Sequence, residues 1–205
     1  MATRSYRSEL RTQQAETTRR KVIAAAKVLF SRHGIDLVTT AQIAARAKVG
    51  VSTVYALFGS KEGLLSGLME DALFGARFRA AWSRLEGVTD PVRLVEQTAG
   101  VARAIWSGEH AELGLLRGAS AFTPDLRALE DEFEQRRYEM QRGRLMQLQR
   151  AGRLAPGLTL TDARRLMWTL TSRETWRMLV DVGGWSPARY EKWLARTLVQ
   201  QLVKA

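Results

Sequence analysis

Between Val38 and Leu65 the chain reads V-T-T-A-Q-I-A-A-R-A-K-V-G-V-S-T-V-Y-A-L-F-G-S-K-E-G-L-L, and no other stretch restricts its possible folds as strongly. Thr39 followed three residues later by Gln42 is a capping box, so a short helix begins at Thr40 with Ile43, Ala44 and Ala47 on one face. Val49, Val54 and Phe58 are spaced for a second short helix, over about Val51 to Leu57, and Lys48-Val49-Gly50 leaves only a tight turn between the two. Two short helices joined this way, with alanines where they cross, form a helix-turn-helix. The second helix is small and polar outside, at Gly50, Val51, Ser52, Thr53 and Tyr55. Small residues let a helix settle into a major groove, hydroxyls bond to phosphates or base edges, and Tyr55 can reach a phosphate oxygen. Ser60 caps a further helix whose first turn holds Lys61, a cation placed beside the same surface. An ordinary helical hairpin inside a core would leave Ser52, Thr53 and Tyr55 without a purpose.

The charge supports a polyanionic partner. The chain of 205 residues has a net charge of +11, and residues 1–61 carry 11 Lys/Arg against 3 Asp/Glu, so most of the excess lies at the helix-turn-helix end. Neutralised phosphates release counterions, so binding should fall steeply with salt. The 45% hydrophobic content is enough for an ordinary globular core. No run of about 18 apolar residues is present, no membrane partner is expected, and a cytoplasmic location follows. With no cysteine and only His33 and His110, neither a thiolate nor a histidine-rich metal site is expected, and no cofactor.

At these residues the chain resembles the tetracycline-repressor-like (TetR) family of transcriptional regulators. The resemblance rests on Gly34, Thr39, Ile43-Ala44, Thr53-Val54-Tyr55, Phe58 and Ser60-Lys61-Glu62 taken together. Lys48 stands where the family usually has the turn glycine, Gly50 where it has serine, and Leu57 where tyrosine or histidine is common. The resemblance implies a small-molecule sensor in the helices between Leu64 and Arg177. An effector bound there would alter the tilt of the helix after Ser60 and so the separation of two reading heads.

Taken in order, the chain predicts an all-α fold of about nine helices: a flexible basic arm (residues 1–17), a helix-turn-helix DNA-binding domain (residues 18–62) and a helical effector-binding and dimerisation domain (residues 63–205). Helix 1 is expected from Thr18 to His33, with Arg19, Arg20 and Lys21 at its start, and Gly34 ends it. A helix from Ser60 should reach Leu85. Asp90-Pro91 opens the next, to Ser107, followed by a shorter one from Glu109 to Ala119; Thr123-Pro124 opens a long helix to Ala151, ended by Gly152. Thr161 is read as the cap of an almost wholly apolar helix to Val182, and Ser186-Pro187 starts the last helix. These two apolar helices, through Leu166, Leu170, Arg173, Tyr190, Leu194, Leu198 and Leu202, are expected to meet their copies across a two-fold axis.

On duplex DNA, Thr39, Thr40, Thr53, Tyr55 and Lys61 are expected to contact phosphates, while Gly50, Val51 and Ser52 approach base edges. The second helix carries no Arg, Asn or Gln for bidentate base readout, so Gln42 and Arg46 on the preceding helix and the shape of the DNA should supply the rest. Two heads about 34–36 Å apart, or a multiple of that, require an imperfect palindrome. For the effector, Trp82, Trp106, Leu116, Phe122, Met140 and Trp176 are candidate lining residues, with His110, Arg117 and Glu174 as polar contacts. The function expected is therefore that of a homodimeric repressor released by a small molecule. An activator or architectural factor without an effector is the alternative. An enzyme using His110 or the Glu130–Glu134 run is not expected, for no phosphate loop, metal-ligand pair or nucleophile–histidine set accompanies them; the run instead places Glu132 and Arg136 at i,i+4, as on a solvated face.

Overall fold

A computed structural model describes residues 2–113 and 124–204, with side chains over 10–108, 127–128 and 130–204. The chain is all α-helical among these residues, apart from one isolated bridge between Leu154 and Val203. It separates into compact units, one containing Met1–Asp71 and the other Ala72–Ala111 with Ala128–Ala205.

In the first unit, α1 (Ala2–His33), α2 (Thr40–Ala47) and α3 (Val51–Phe58) pack together, and α4 (Lys61–Phe74) begins. Val22, Ala26 and Phe30 of α1, Ile43 and Ala44 of α2 and Val54 and Phe58 of α3 are all buried, and the three helices touch one another. Of the flexible arm expected at residues 1–17, residues 2–17 form the first half of α1. No glycine or proline interrupts the stretch, and Thr17 and Thr18 return their hydroxyls to the carbonyls of Gln13 and Gln14 at 2.8 Å. Arg19–Lys21 therefore sit in mid-helix, where the dipole at a helix start no longer opposes them.

The helix expected from Ser60 to Leu85 is broken. It ends at Phe74, Gly75 is extended (φ −72°, ψ −156°), and α5 restarts over Ala76–Ser83. The opposite correction applies next, because α6 runs without a break over Pro91–Leu113. Gly108 continues the helix, and a Cβ there would lie 3.1 Å from the Ala72 carbonyl oxygen, so the close approach and not a turn explains the glycine. α7 covers Pro124–Arg150.

α8 covers Leu160–Leu170, and its cap is Thr159 and not Thr161: the Thr159 hydroxyl accepts from the Asp162 amide at 3.1 Å. Continuity to Val182 also fails. Ser172 caps a short α9 (Arg173–Trp176), which leads into a π-helix over Arg177–Val182. Ser186, with Pro187 as first residue, starts α10 (Pro187–Leu202) as expected. Trp106, Leu145, Leu148, Met167, Leu194 and Leu198 are fully buried in this unit. No helix is long and apolar enough to cross a membrane among the described residues.

Candidate functional site

The reading head is built from its caps outward. Thr39 accepts from the Gln42 amide at 3.3 Å while Gln42 Oε1 accepts from the Thr39 amide at 2.8 Å, so both halves of the capping box are made. α2 ends in a left-handed turn at Lys48 (φ 57°, ψ 47°), with the Val49 amide donating to the Ala44 carbonyl at 3.0 Å and that of Lys48 to Ala45 at 3.2 Å. Paired bonds of this kind close a helix and usually involve glycine. Lys48 is the positive-φ residue other than glycine among the described residues.

α3 then presents two unlike faces. Val54 and Phe58 are buried, whereas Val51 is 40% and Tyr55 51% exposed; Ser52 is also exposed and Thr53 half-buried. No side chain caps the start of α3, where Gly50 stands. Thr39, Gln42, Arg46 and Gly50 are exposed and Thr40 half-buried, so the residues expected at DNA, Lys61 aside, lie on the accessible part of α2, the turn and α3. Lys61 is different. Its ammonium group is half-buried and donates to the Ile35 carbonyl at 2.7 Å, tying the loop after α1 to the start of α4. Its side chain is thereby held within the head.

Two supports were not legible in the sequence. The Arg19 guanidinium lies 4.7 Å from the centroid of the Phe58 ring, a stack between α1 and the end of α3. Lys27 pairs with Asp71 at 2.8 Å. Both contacts join residues more than 35 positions apart, and neither leaves a periodic trace in the sequence. The Glu62 carboxyl is held below the usual carboxylate range by its own backbone amide and the Ser60 hydroxyl.

The expected effector residues separate in space. Trp82 and Met140 line one small cavity with Thr98, Ile105, Gln141 and Arg144; its volume of about 20 Å³ accommodates little more than a water. Trp106 is fully buried and donates to the Thr171 carbonyl at 2.9 Å. Trp176 is buried against Tyr190, with ring centroids 4.9 Å apart, and Glu174 is exposed, so these three are core or surface residues and not part of the cavity. The side chains of His110, Leu116, Arg117 and Phe122 lie outside the described residues.

The cavity wall contains a polar cluster that the sequence reading missed. Arg137, 6% exposed, pairs with Glu134 at 2.6 Å and donates to the Trp168 carbonyl and the Thr171 hydroxyl at 2.9 and 2.8 Å. Gln141 donates to the same hydroxyl at 2.9 Å. Burial pulls the Arg144 pKa down to about 10, which leaves its guanidinium charged at neutral pH.

The dimer residues also need correction. Tyr190, Leu194, Leu198 and Leu202 are fully buried within their own chain, so the stripe read as a surface for a partner is instead the inward face of α10. Burial pushes the Tyr190 hydroxyl pKa up, with the Arg137 charge opposing the shift. Leu166 is 36% exposed and Leu170 and Arg173 are half-buried, while Met178 and Val182 of the π-helix are 53% and 63% exposed.

The fold and this exposed second helix define a helix-turn-helix DNA-binding regulator. Residues 22–68 match the family described as bacterial regulatory proteins, tetR family. Solved structures share the fold over nearly the whole chain. One is NalD of Pseudomonas aeruginosa, the secondary repressor of the MexAB-OprM multidrug efflux pump, 25% identical with a TM-score of 0.67 over 92% of this chain and 98% of that one. SmeT in complex with triclosan is 18% identical with a TM-score of 0.72, covering 92% of each chain. FadR of Bacillus subtilis in complex with stearoyl-CoA is 18% identical with a TM-score of 0.66, covering 88% of this chain and 97% of that one. No curated protein sequence matches. The DNA-binding end is thus that of the tetR family of bacterial regulatory proteins, and the rest of the chain shares the fold of these solved structures.

Proposed function

We propose that the protein is a cytoplasmic homodimeric repressor that binds an imperfectly palindromic operator through residues 18–62 and is released by a small molecule held in residues 63–205. The observation that carries the DNA-binding part is the two-faced α3, whose Val54 and Phe58 are buried while Val51, Ser52 and Tyr55 stand in solvent. Without a side-chain cap, the Val51 and Ser52 amides at the start of α3 remain for a phosphate oxygen, and the positive end of the helix favours that charge. Tyr55, Thr40 and Thr53 position the head on the backbone; Gly50, Val51 and Ser52 face base edges, with Gln42 and Arg46 beside them.

The dimer is proposed to form through α8 and the π-helix, by Leu166, Leu170, Met178 and Val182. These are among the apolar side chains of that region left at least partly open to solvent, and Leu166, Met178 and Val182 are the most exposed of them. Effector release is supported by relatives crystallised with triclosan and stearoyl-CoA. A ligand with unequal affinity for the DNA-competent and incompetent states would change operator affinity by about 1–3 kcal/mol of coupling.

Selection of bound sequences from random duplexes tests the reading. An enriched two-fold motif with half-sites about 10 bp apart, or a multiple of that, is expected. Selection yielding no motif, or a single half-site, would overturn it.

A further inference from the structure

Arg144 is a buried charge without a counter-charge. It is 7% exposed, and among the described residues no carboxylate pairs with it. Its Nη1 donates to the Thr98 hydroxyl at 3.1 Å, and its guanidinium lies 4.4 Å from the centroid of the Trp82 ring. Its Nη2 is buried with no acceptor. A second orphan is on the same wall: Gln141 donates through Nε2 to Thr171, while its Oε1 is buried and receives no donor. The neighbouring cation, Arg137, is already engaged by Glu134, so the uncompensated positive charge of the cavity belongs to Arg144.

An isolated buried charge is strongly unfavourable unless something pairs with it, and a buried polar atom without a partner calls for an explanation. A water could satisfy a polar atom here but would leave the charge uncompensated. A ligand that removes both must bring an anionic acceptor and a donor. The remaining walls, including Trp82, Val101, Ile105 and Met140, are apolar. With about 20 Å³ at present, the cavity admits a ring only by displacing a side chain, and Trp82 is half-buried and already stacked on the guanidinium.

We propose that this cavity receives a compact aromatic carboxylate bearing a hydroxyl, its carboxylate accepting from Arg144 Nη2 and its hydroxyl donating to Gln141 Oε1. The proposal rests on the effector reading above and assigns its ligand class. A hydrogen bond to a charged group contributes about 1.5–3 kcal/mol, so a carboxylate should bind roughly ten- to hundredfold tighter than its neutral amide.

The test uses the full chain with ring-hydroxylated benzoates and the matching benzamides, followed by thermal shift and tryptophan fluorescence. The benzoates should raise Tm and change the emission at concentrations where the amides do nothing, and Arg144→Met should abolish the difference while leaving ligand-free Tm equal or higher. Equal binding of acid and amide, retention of the preference in Arg144→Met, or no response to any benzoate at millimolar concentration would overturn the proposal. If Arg144→Met does not fold, the acid–amide comparison on the parent protein and on Arg144→Lys decides, with loss of preference on the parent again the overturning result. Operator affinity measured in the same samples separates the two readings. A benzoate that binds through Arg144 without changing operator affinity keeps the site and refutes release; release by ligands indifferent to Arg144 does the reverse.

Discussion

Lys48 adopts the left-handed conformation that closes the turn of the DNA-binding motif, at φ 57°. A Cβ in that region is unfavourable by about 1–2 kcal/mol, and part of this returns as lost freedom of glycine in the unfolded chain. Lys48→Gly should therefore raise stability by about 0.5–1 kcal/mol, seen as a higher urea midpoint at unchanged slope. The same change removes an exposed cation, so the salt slope of DNA binding should fall by about one per head if Lys48 meets a phosphate. Tyr55→Phe removes one exposed hydroxyl. It should leave Tm unchanged and weaken operator binding by about 1 kcal/mol per head, and unchanged affinity in a titration would remove Tyr55 from the contact. Arg144 carries its own sign. Burial holds its folded pKa at about 10, below the usual guanidinium range, so its burial penalty is complete below about 10 and lifts only as pH rises toward the unfolded value. Any stability difference between the parent and Arg144→Met should accordingly stay constant across neutral pH in denaturant titrations.

At the scale of elements, the sequence was most informative where a short-range rule applies and least where a distant contact decides. The capping box at Thr39, the Ser186-Pro187 start and the spacing of Val54 and Phe58 are local chemistry, and the helices begin and bury their faces accordingly. The stripe Tyr190, Leu194, Leu198 and Leu202 shows the limit: periodicity says that a face is apolar, and only packing says against what. Leu198→Glu should consequently destabilise the subunit by more than about 3 kcal/mol, because it buries a charge, whereas Met178→Glu with Val182→Glu should preserve Tm per chain and yield monomers in sedimentation. A dimer surviving the second pair would place the interface elsewhere. Gly63 marks another contact that no pattern reveals. A Cβ there would lie 1.9 Å from the Phe58 carbonyl oxygen, so Gly63→Ala should lower Tm and loosen the junction between α3 and α4.

For the whole molecule, the charge asymmetry makes one demand. With 11 Lys/Arg in residues 1–61, affinity for any duplex should fall steeply with salt, while discrimination between operator and random DNA should change less, since base contacts release no counterions. Fluorescence titrations at several salt concentrations check this, and a flat dependence would detach the basic end from the phosphate backbone. The amino-acid sequence by itself determined the helical class, the helix-turn-helix with its caps and outward hydroxyls, and the basic end, because each follows from spacing over a few residues or from summed charge. Tertiary structure alone decided that Lys61 is tied to Ile35, that the stripe of α10 faces inward and that Arg144 lies buried beside Gln141. Those outcomes depend on which surfaces meet across long separations in the chain, and hydrophobic burial, being non-directional, leaves no record of its partner in the residues that take part.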